Sequence, residues 1–200
     1  MVINDMAEED ILKIVKEDIL RILAEEKRIS LDSIKTKVKV SSSYIFKALE
    51  ELKRKKLIEI EGNFIKLTGI GQKEAKNILR KHLILENYFK KNLNKREAHR
   101  KAHILEHYVS EEVIKNIKKL HTLEERGIPL IKFRLYNEGL ITDINIPNNE
   151  LFERIVSMGI FPGEKIKVIN KIPNGIVVVV KNKKFVLDKD IAREIKVLKL

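Results

Sequence analysis

The sequence predicts a mainly α-helical winged helix-turn-helix with a helical dimerisation domain, followed by a small all-β SH3-like barrel at the C-terminus. Three observations carry this. Apolar residues recur at three- and four-residue steps through the first part of the chain, and a short hairpin signal interrupts them after the third helix. From Leu140 onward the pattern changes to short strands separated by Pro-Gly, Pro-Asn-Gly and Asn turns.

The first helix is read over Glu8 to Glu26, with Ile11, Ile14, Val15, Ile19, Ile22 and Leu23 on one face. Ser30 offers the cap of a second helix that turns Ile34 and Val38 inward. A third begins at Ser41, Ser42 and Ser43 and buries Ile45, Ala48, Leu49 and Leu52. Two alternating runs, Leu57 to Glu61 and Phe64 to Leu67, are split by Gly62-Asn63, which is a hairpin signal. Three helices followed by a hairpin is the order in which a recognition helix enters the major groove and a wing follows the backbone. Ser41, Ser42, Ser43, Tyr44 and Lys47 crowd the first turns of that third helix, where hydroxyls and the helix N-terminus suit phosphate and base-edge contacts. These five are the candidate DNA-binding residues, while Lys53 to Lys56 would bear on phosphates.

A long helix from Gln72 to about Leu93, another from Lys95 to Tyr108 and a third capped by Ser110 follow. They carry more apolar side chains than an isolated helix pair needs, which predicts a helical dimer interface and a homodimer. The predicted domains are therefore 1–71 for the winged helix, 72–128 for the helical domain, 129–139 for a linker and 140–200 for the barrel. In the last domain a short helix, Asn148 to Met158, precedes the strands, and AREIKVLKL closes as a final strand.

The formal net charge is +12, and its distribution says more than its size. Between Lys35 and Lys56 there are eight basic residues against two Glu, whereas Gly139 to the end has eleven against seven acidic. No stretch is long and apolar enough to predict a membrane span, and MVINDMAEED lacks the apolar core of a secretion signal. The expectation is a cytoplasmic protein with double-stranded DNA as partner and no small-molecule substrate. No nucleophile triad, phosphate loop or zincin motif is present, so no enzyme is expected.

With no cysteine in the chain, any metal site must use nitrogen and oxygen donors. His99, His103, Glu106 and His107 fall at i, i+4, i+7 and i+8, on one side of a helix, and His82 and Glu86 form a second pair on the preceding helix. A helix hairpin can bring these six donors together, which suits a divalent ion such as Mn²⁺, Fe²⁺, Co²⁺, Ni²⁺ or Zn²⁺. An ordinary ion-paired surface is the competing reading, given Lys81, Glu97 and Glu111 nearby. His121 lies outside the pattern.

These residues make the chain similar to the diphtheria-toxin-repressor family of iron- and manganese-dependent regulators. KVSSSYIFKALEELKRKKLI resembles the family's recognition helix, FIKLTGIGQKEAKNILRKH its wing exit and dimerisation helix, and EAHRKAHILEHYVSEEV its metal-binding helix. LFERIVSMGIFPGEKIKVINKIPNGIVVVV with VLDKDIAREIKV resembles the SH3-like domain also found in the FeoA protein of ferrous iron transport. The resemblance implies a metal-dependent repressor that binds operator DNA as a dimer when loaded with Mn²⁺ or Fe²⁺ and controls metal-homeostasis genes. It assigns His82, Glu86 and His99 to an ancillary site, and His103, Glu106 and His107 to the primary regulatory site. Where iron-type members have Cys and manganese-type members Glu, this chain has His103. The primary site of the family also draws on the first helix, where Asp10 and Asp18 are both candidates. The alternative is a winged-helix regulator that binds DNA without metal, its histidine cluster being structural.

Overall fold

A computed structural model describes residues 7–122 and 127–200. The chain divides within its fourth helix into two compact units, one ending at Leu83 and the other beginning at Ile84. In the first unit, α1 (Glu8–Glu26) is followed by β1 (Arg28–Ser30), α2 (Leu31–Lys37) and α3 (Ser42–Arg54). The hairpin β2 (Ile58–Glu61) and β3 (Phe64–Leu67) comes next, and α4 (Gly69–Phe89) leaves it. This is the predicted winged-helix order, with one addition. β1, too short to show a period, pairs with β3 and makes the hairpin a three-stranded sheet.

The core of this unit is the apolar stripe of α1 packed on Ile34, Ile45, Ala48, Leu49, Leu52, Ile58 and Ile65. Ala75 and Ile78 of α4 join it, which is why the unit runs past the domain limit expected at residue 71. Ser30 caps α2 as expected, its Oγ accepting from the Ser33 amide at 3.2 Å. Ser41 sits at the N-cap of α3 in extended backbone but its side chain makes no capping bond, so its hydroxyl is not committed there. Gly62 takes φ +60 in the wing turn, a conformation that favours glycine.

The start of α4 is fixed by one close approach. Thr68 Oγ1 donates to the carbonyls of Lys56 and Leu57 and accepts from the Gly71 amide at 3.0 Å. A Cβ built on Gly71 would lie 1.8 Å from the Leu57 carbonyl oxygen. Only a residue without a side chain lets the helix pass this strand end.

The second unit holds the rest of α4, α5 (Lys95–Leu105) and α6 (Glu111–Thr122) together with the C-terminal sheet. Its strands are β4 (Ile128–Pro129), β5 (Glu138–Ile144), β6 (Lys165–Ile172), β7 (Gly175–Val180), β8 (Lys183–Asp188) and β9 (Ile195–Lys199). All pairs are antiparallel, in the order β4-β9-β5-β6-β7-β8. α7 (Asn149–Ser157) stands between β5 and β6, and α8 (Lys189–Glu194) precedes β9. The expected small all-β SH3-like domain is therefore present, with α8 as a helix where only strand was expected.

The stretch 129–139 is not a linker. Ile128 pairs with Val197, a 3-10 turn spans Leu130–Lys132, and Leu130 and Phe133 are buried in the core. The chain must enter the sheet here because β9 needs a partner on its second edge and the two apolar side chains need cover. Ser110 caps α6 at the Val113 amide, and the helix end expected at 123–126 lies outside the described residues.

Within this unit the helices and the sheet share one core, in which Leu85, Phe89, Ala98, Ala102, Leu105, Val113 and Ile117 pack with Phe152, Phe161 and the inner faces of β5 to β7. Polar anchors pin the two layers. Tyr88 donates to the Thr142 carbonyl, Asn116 Nδ2 to the Gly163 carbonyl at 2.9 Å, and Lys101 Nζ to the Ile146 carbonyl at 3.0 Å. Lys101 is the unusual one, a buried lysine whose ammonium also lies 4.6 Å from the Phe152 ring centroid. Burial pushes its pKa below the ordinary lysine value, an effect partly countered by Asp143 and Glu97. No helix among the described residues is long and apolar enough to cross a membrane.

Two substitutions test this account. Gly71→Ala must displace the Leu57 backbone, and urea unfolding should show a loss of about 1–3 kcal/mol, the usual range for overpacking. Lys101→Ala removes a charged hydrogen bond and a buried stem, and should cost about 2 kcal/mol. Lys101→Met, which keeps the stem, should recover part of that loss; equal midpoints for all three chains would remove Lys101 from the account.

Candidate metal centre

Asn94 starts α5 by accepting from the Glu97 amide at 3.0 Å, and Glu97 returns the contact to the Asn94 side chain at 2.8 Å. Glu97 is thus engaged in the cap. The buried face of α5 is Ala98, Lys101, Ala102 and Leu105. Helical periodicity then places His99, His103 and Glu106 together on the neighbouring face.

At the C-terminal end of α5 the Glu106 carboxylate lies between two imidazoles. Its Oε1 is 3.0 Å from His103 Nδ1 and 3.6 Å from His107 Nε2. The side chains of Glu106 and His107 are 1% and 4% exposed, whereas His103 is 38% exposed. The two rings stand edge to face, 5.7 Å between centroids. The donor atoms of these three residues lie within 4.8 Å of one another, close enough for a single cation. A carboxylate so thoroughly removed from water needs positive charge beside it. Two imidazoles and a carboxylate are a borderline-to-hard donor set that a divalent transition ion fits.

The second set is more open. Glu86 Oε2 is 3.2 Å from His99 Nδ1, with Glu86 mostly buried and His99 half exposed. His82, buried, stands one turn before Glu86 on α4. Glu86 Oε1 also pairs with Lys90 Nζ at 2.5 Å, an i,i+4 competitor that the sequence reading left out. His121 is exposed near the end of α6, and its carbonyl accepts from Lys91 Nζ. Of the two first-helix carboxylates, Asp18 is buried and Asp10 exposed.

In the first unit, Ser41, Ser42 and Ser43 are all exposed at the start of α3, and Tyr44 is half-buried against the core. Lys47 is exposed and pairs with Glu8 at 2.6 Å, which raises its pKa above the ordinary lysine value. Glu51, one turn on, is held by Lys16 at 2.6 Å. The helix thus presents hydroxyls first and basic side chains, Lys53 and Arg54, last. The reading from spacing left out Phe46, which the structure leaves 47% exposed on the same helix. Its one signal in the sequence is that it falls off the inward stripe of Ile45, Ala48, Leu49 and Leu52.

Two family models match this chain. Residues 68–122 match the iron dependent repressor, metal binding and dimerisation domain, and residues 128–199 match the FeoA domain. A solved manganese-dependent transcriptional repressor in complex with manganese is 19% identical, over 92% of this chain and 100% of its own, at a TM-score of 0.49. The T. acidophilum IdeR structure is 21% identical over 98% and 100%, at a TM-score of 0.46. A solved iron uptake regulatory protein, FeoA, is 31% identical over 36% of this chain and 97% of its own, at a TM-score of 0.34. No curated protein sequence matches. The chain thus carries, one after the other, a match to the metal binding and dimerisation domain of iron dependent repressors and a match to the FeoA domain.

Proposed function

We propose that this chain is a transcriptional repressor that binds operator DNA as a homodimer when loaded with divalent manganese or iron, and so controls metal-homeostasis genes. The observation that carries the reading is the buried Glu106 carboxylate flanked by His103 and His107. His103, Glu106 and His107 would hold the regulatory ion, and His82, Glu86 and His99 an ancillary one. The family resemblance adds a first-helix carboxylate to the regulatory set, for which Asp10 and Asp18 are both candidates. An all-nitrogen-and-oxygen set favours Mn²⁺ or Fe²⁺ as effector, and Co²⁺, Ni²⁺ or Zn²⁺ would also be accepted in vitro.

The ion would supply a fixed double positive charge. The chain's own residues do the rest. Glu106 is held in place by burial, so its ligand oxygen is pre-positioned and little ordering remains when an ion binds. Ser41, Ser42, Ser43, Tyr44 and Lys47 at the front of α3 would meet DNA, with Lys53 and Arg54 on phosphates. The relatives of the matched domain are repressors, and catalysis forms no part of the proposal.

Linkage makes the proposal testable, because an ion that tightens DNA binding must itself be bound more tightly by the DNA complex. Metal-stripped protein is titrated onto its upstream promoter DNA at fixed salt with Mn²⁺, Fe²⁺, Co²⁺ or Zn²⁺, since ionic strength alone moves such affinities. The expected outcome is tightening by about tenfold or more, ~1.4 kcal/mol, with at least one ion. Specific binding that is indifferent to every ion would instead establish a metal-independent regulator with a structural histidine cluster.

A further inference from the structure

Building on the DNA-binding reading above, we propose that Phe46 is a specificity-determining residue that reads the C5-methyl group of a thymine in the major groove. Phe46 is a large apolar side chain left 47% exposed in the middle of α3. It shares the exposed strip of that helix with Ser42, Ser43, Lys47 and Glu50. Exposing a phenyl ring to water is unfavourable, and Phe46 lies outside the apolar core formed by the inward stripe of α3. On its other side the ring borders a cleft of about 290 Å³ shared with Leu31, Ile60 and Lys53. The Lys35 ammonium stands 5.4 Å from the ring centroid, which holds the ring and adds positive charge beside it.

The composition of the strip says which part of a duplex it meets. Phosphate contacts call for cations and hydrogen-bond donors. A phenyl ring offers neither, and Glu50, exposed on the same strip, would be repelled by a phosphate. Both suit base edges. The thymine methyl is the apolar group in the major groove, and a carboxylate accepts from the cytosine N4 amine. Lys35, Lys47, Lys53 and Arg54 lie on and beside the strip and supply the charge that the flanking phosphates need. Phe46 and Glu50 therefore face bases, and the basic residues face the backbone.

The test uses the full-length, manganese-loaded chain and duplexes it selects from a random library. Each thymine of the selected duplex is replaced in turn by deoxyuridine, which removes only the methyl group. The native chain should lose roughly fourfold in affinity at one position in each half-site, the effect of one buried methyl. Phe46→Ala should bind the thymine and deoxyuridine duplexes alike at that position, with an unchanged thermal melt and an unchanged salt dependence. Phe46→Leu, which keeps an apolar side chain, should retain a penalty, and this separates contact from any general loss of folding. A native chain with no methyl penalty at any position, or a Phe46→Ala chain that keeps the full penalty, overturns the proposal. If no duplex is enriched from the library, the DNA-binding reading falls and this inference falls with it.

Discussion

A helix buries one face, and the candidate metal centre follows from which face α5 buries. Ala98, Ala102 and Leu105 are committed to a core shared with the C-terminal sheet, with Lys101 among them reaching the Ile146 carbonyl. Small residues at 98 and 102 let the helix approach that core closely. The histidines then have one place to go, the adjoining face, and Glu106 is drawn below the surface between two of them. The Glu106 side chain lies just past the buried residue Leu105 and is 1% exposed. Its chemistry is a consequence of the burial, because a carboxylate without bulk water around it favours a cation.

The same dependence explains why the FeoA domain is more than an appendage here. Its β5 and the 162–163 turn receive hydrogen bonds from Tyr88 on α4 and Asn116 on α6, and Lys101 of α5 donates to the loop after β5. Three helices that carry or adjoin the candidate ligands are therefore fixed to one sheet. Gly163 takes φ +85 where an added Cβ would lie 2.9 Å from the Val113 carbonyl, so the turn rests directly on α6. A rigid backing of this kind is what a pre-positioned ligand set requires.

Much of this was legible in the sequence, for reasons that differ by element. α1, α3 and α4 are long enough to show the helical period, and the His/Glu spacing rides on that period. β1 and α8 span three and six residues, too few for any period, and Ile195 and Val197 made the whole of the last segment read as strand. The 129–139 stretch looked like a linker because Leu130 and Phe133 follow neither period; their burial comes from partners distant in sequence. The six candidate ligands could be named from spacing alone. Their unequal exposure, with Glu106 and His107 buried and His99 open, could not, since it depends on tertiary packing. Phe46 was passed over for the converse reason, that its position off the inward stripe gains meaning only once the structure shows the ring outside the core.

The most direct test of the central claim is calorimetric titration of Mn²⁺ and Fe²⁺ into the metal-stripped full-length chain, beside its Glu106→Gln and Glu86→Gln variants. The account predicts an ion at each set, with Glu106→Gln weakening one class by at least about tenfold and leaving the other, and Glu86→Gln doing the reverse. Binding that is the same in the native chain and in a variant carrying both substitutions would contradict it.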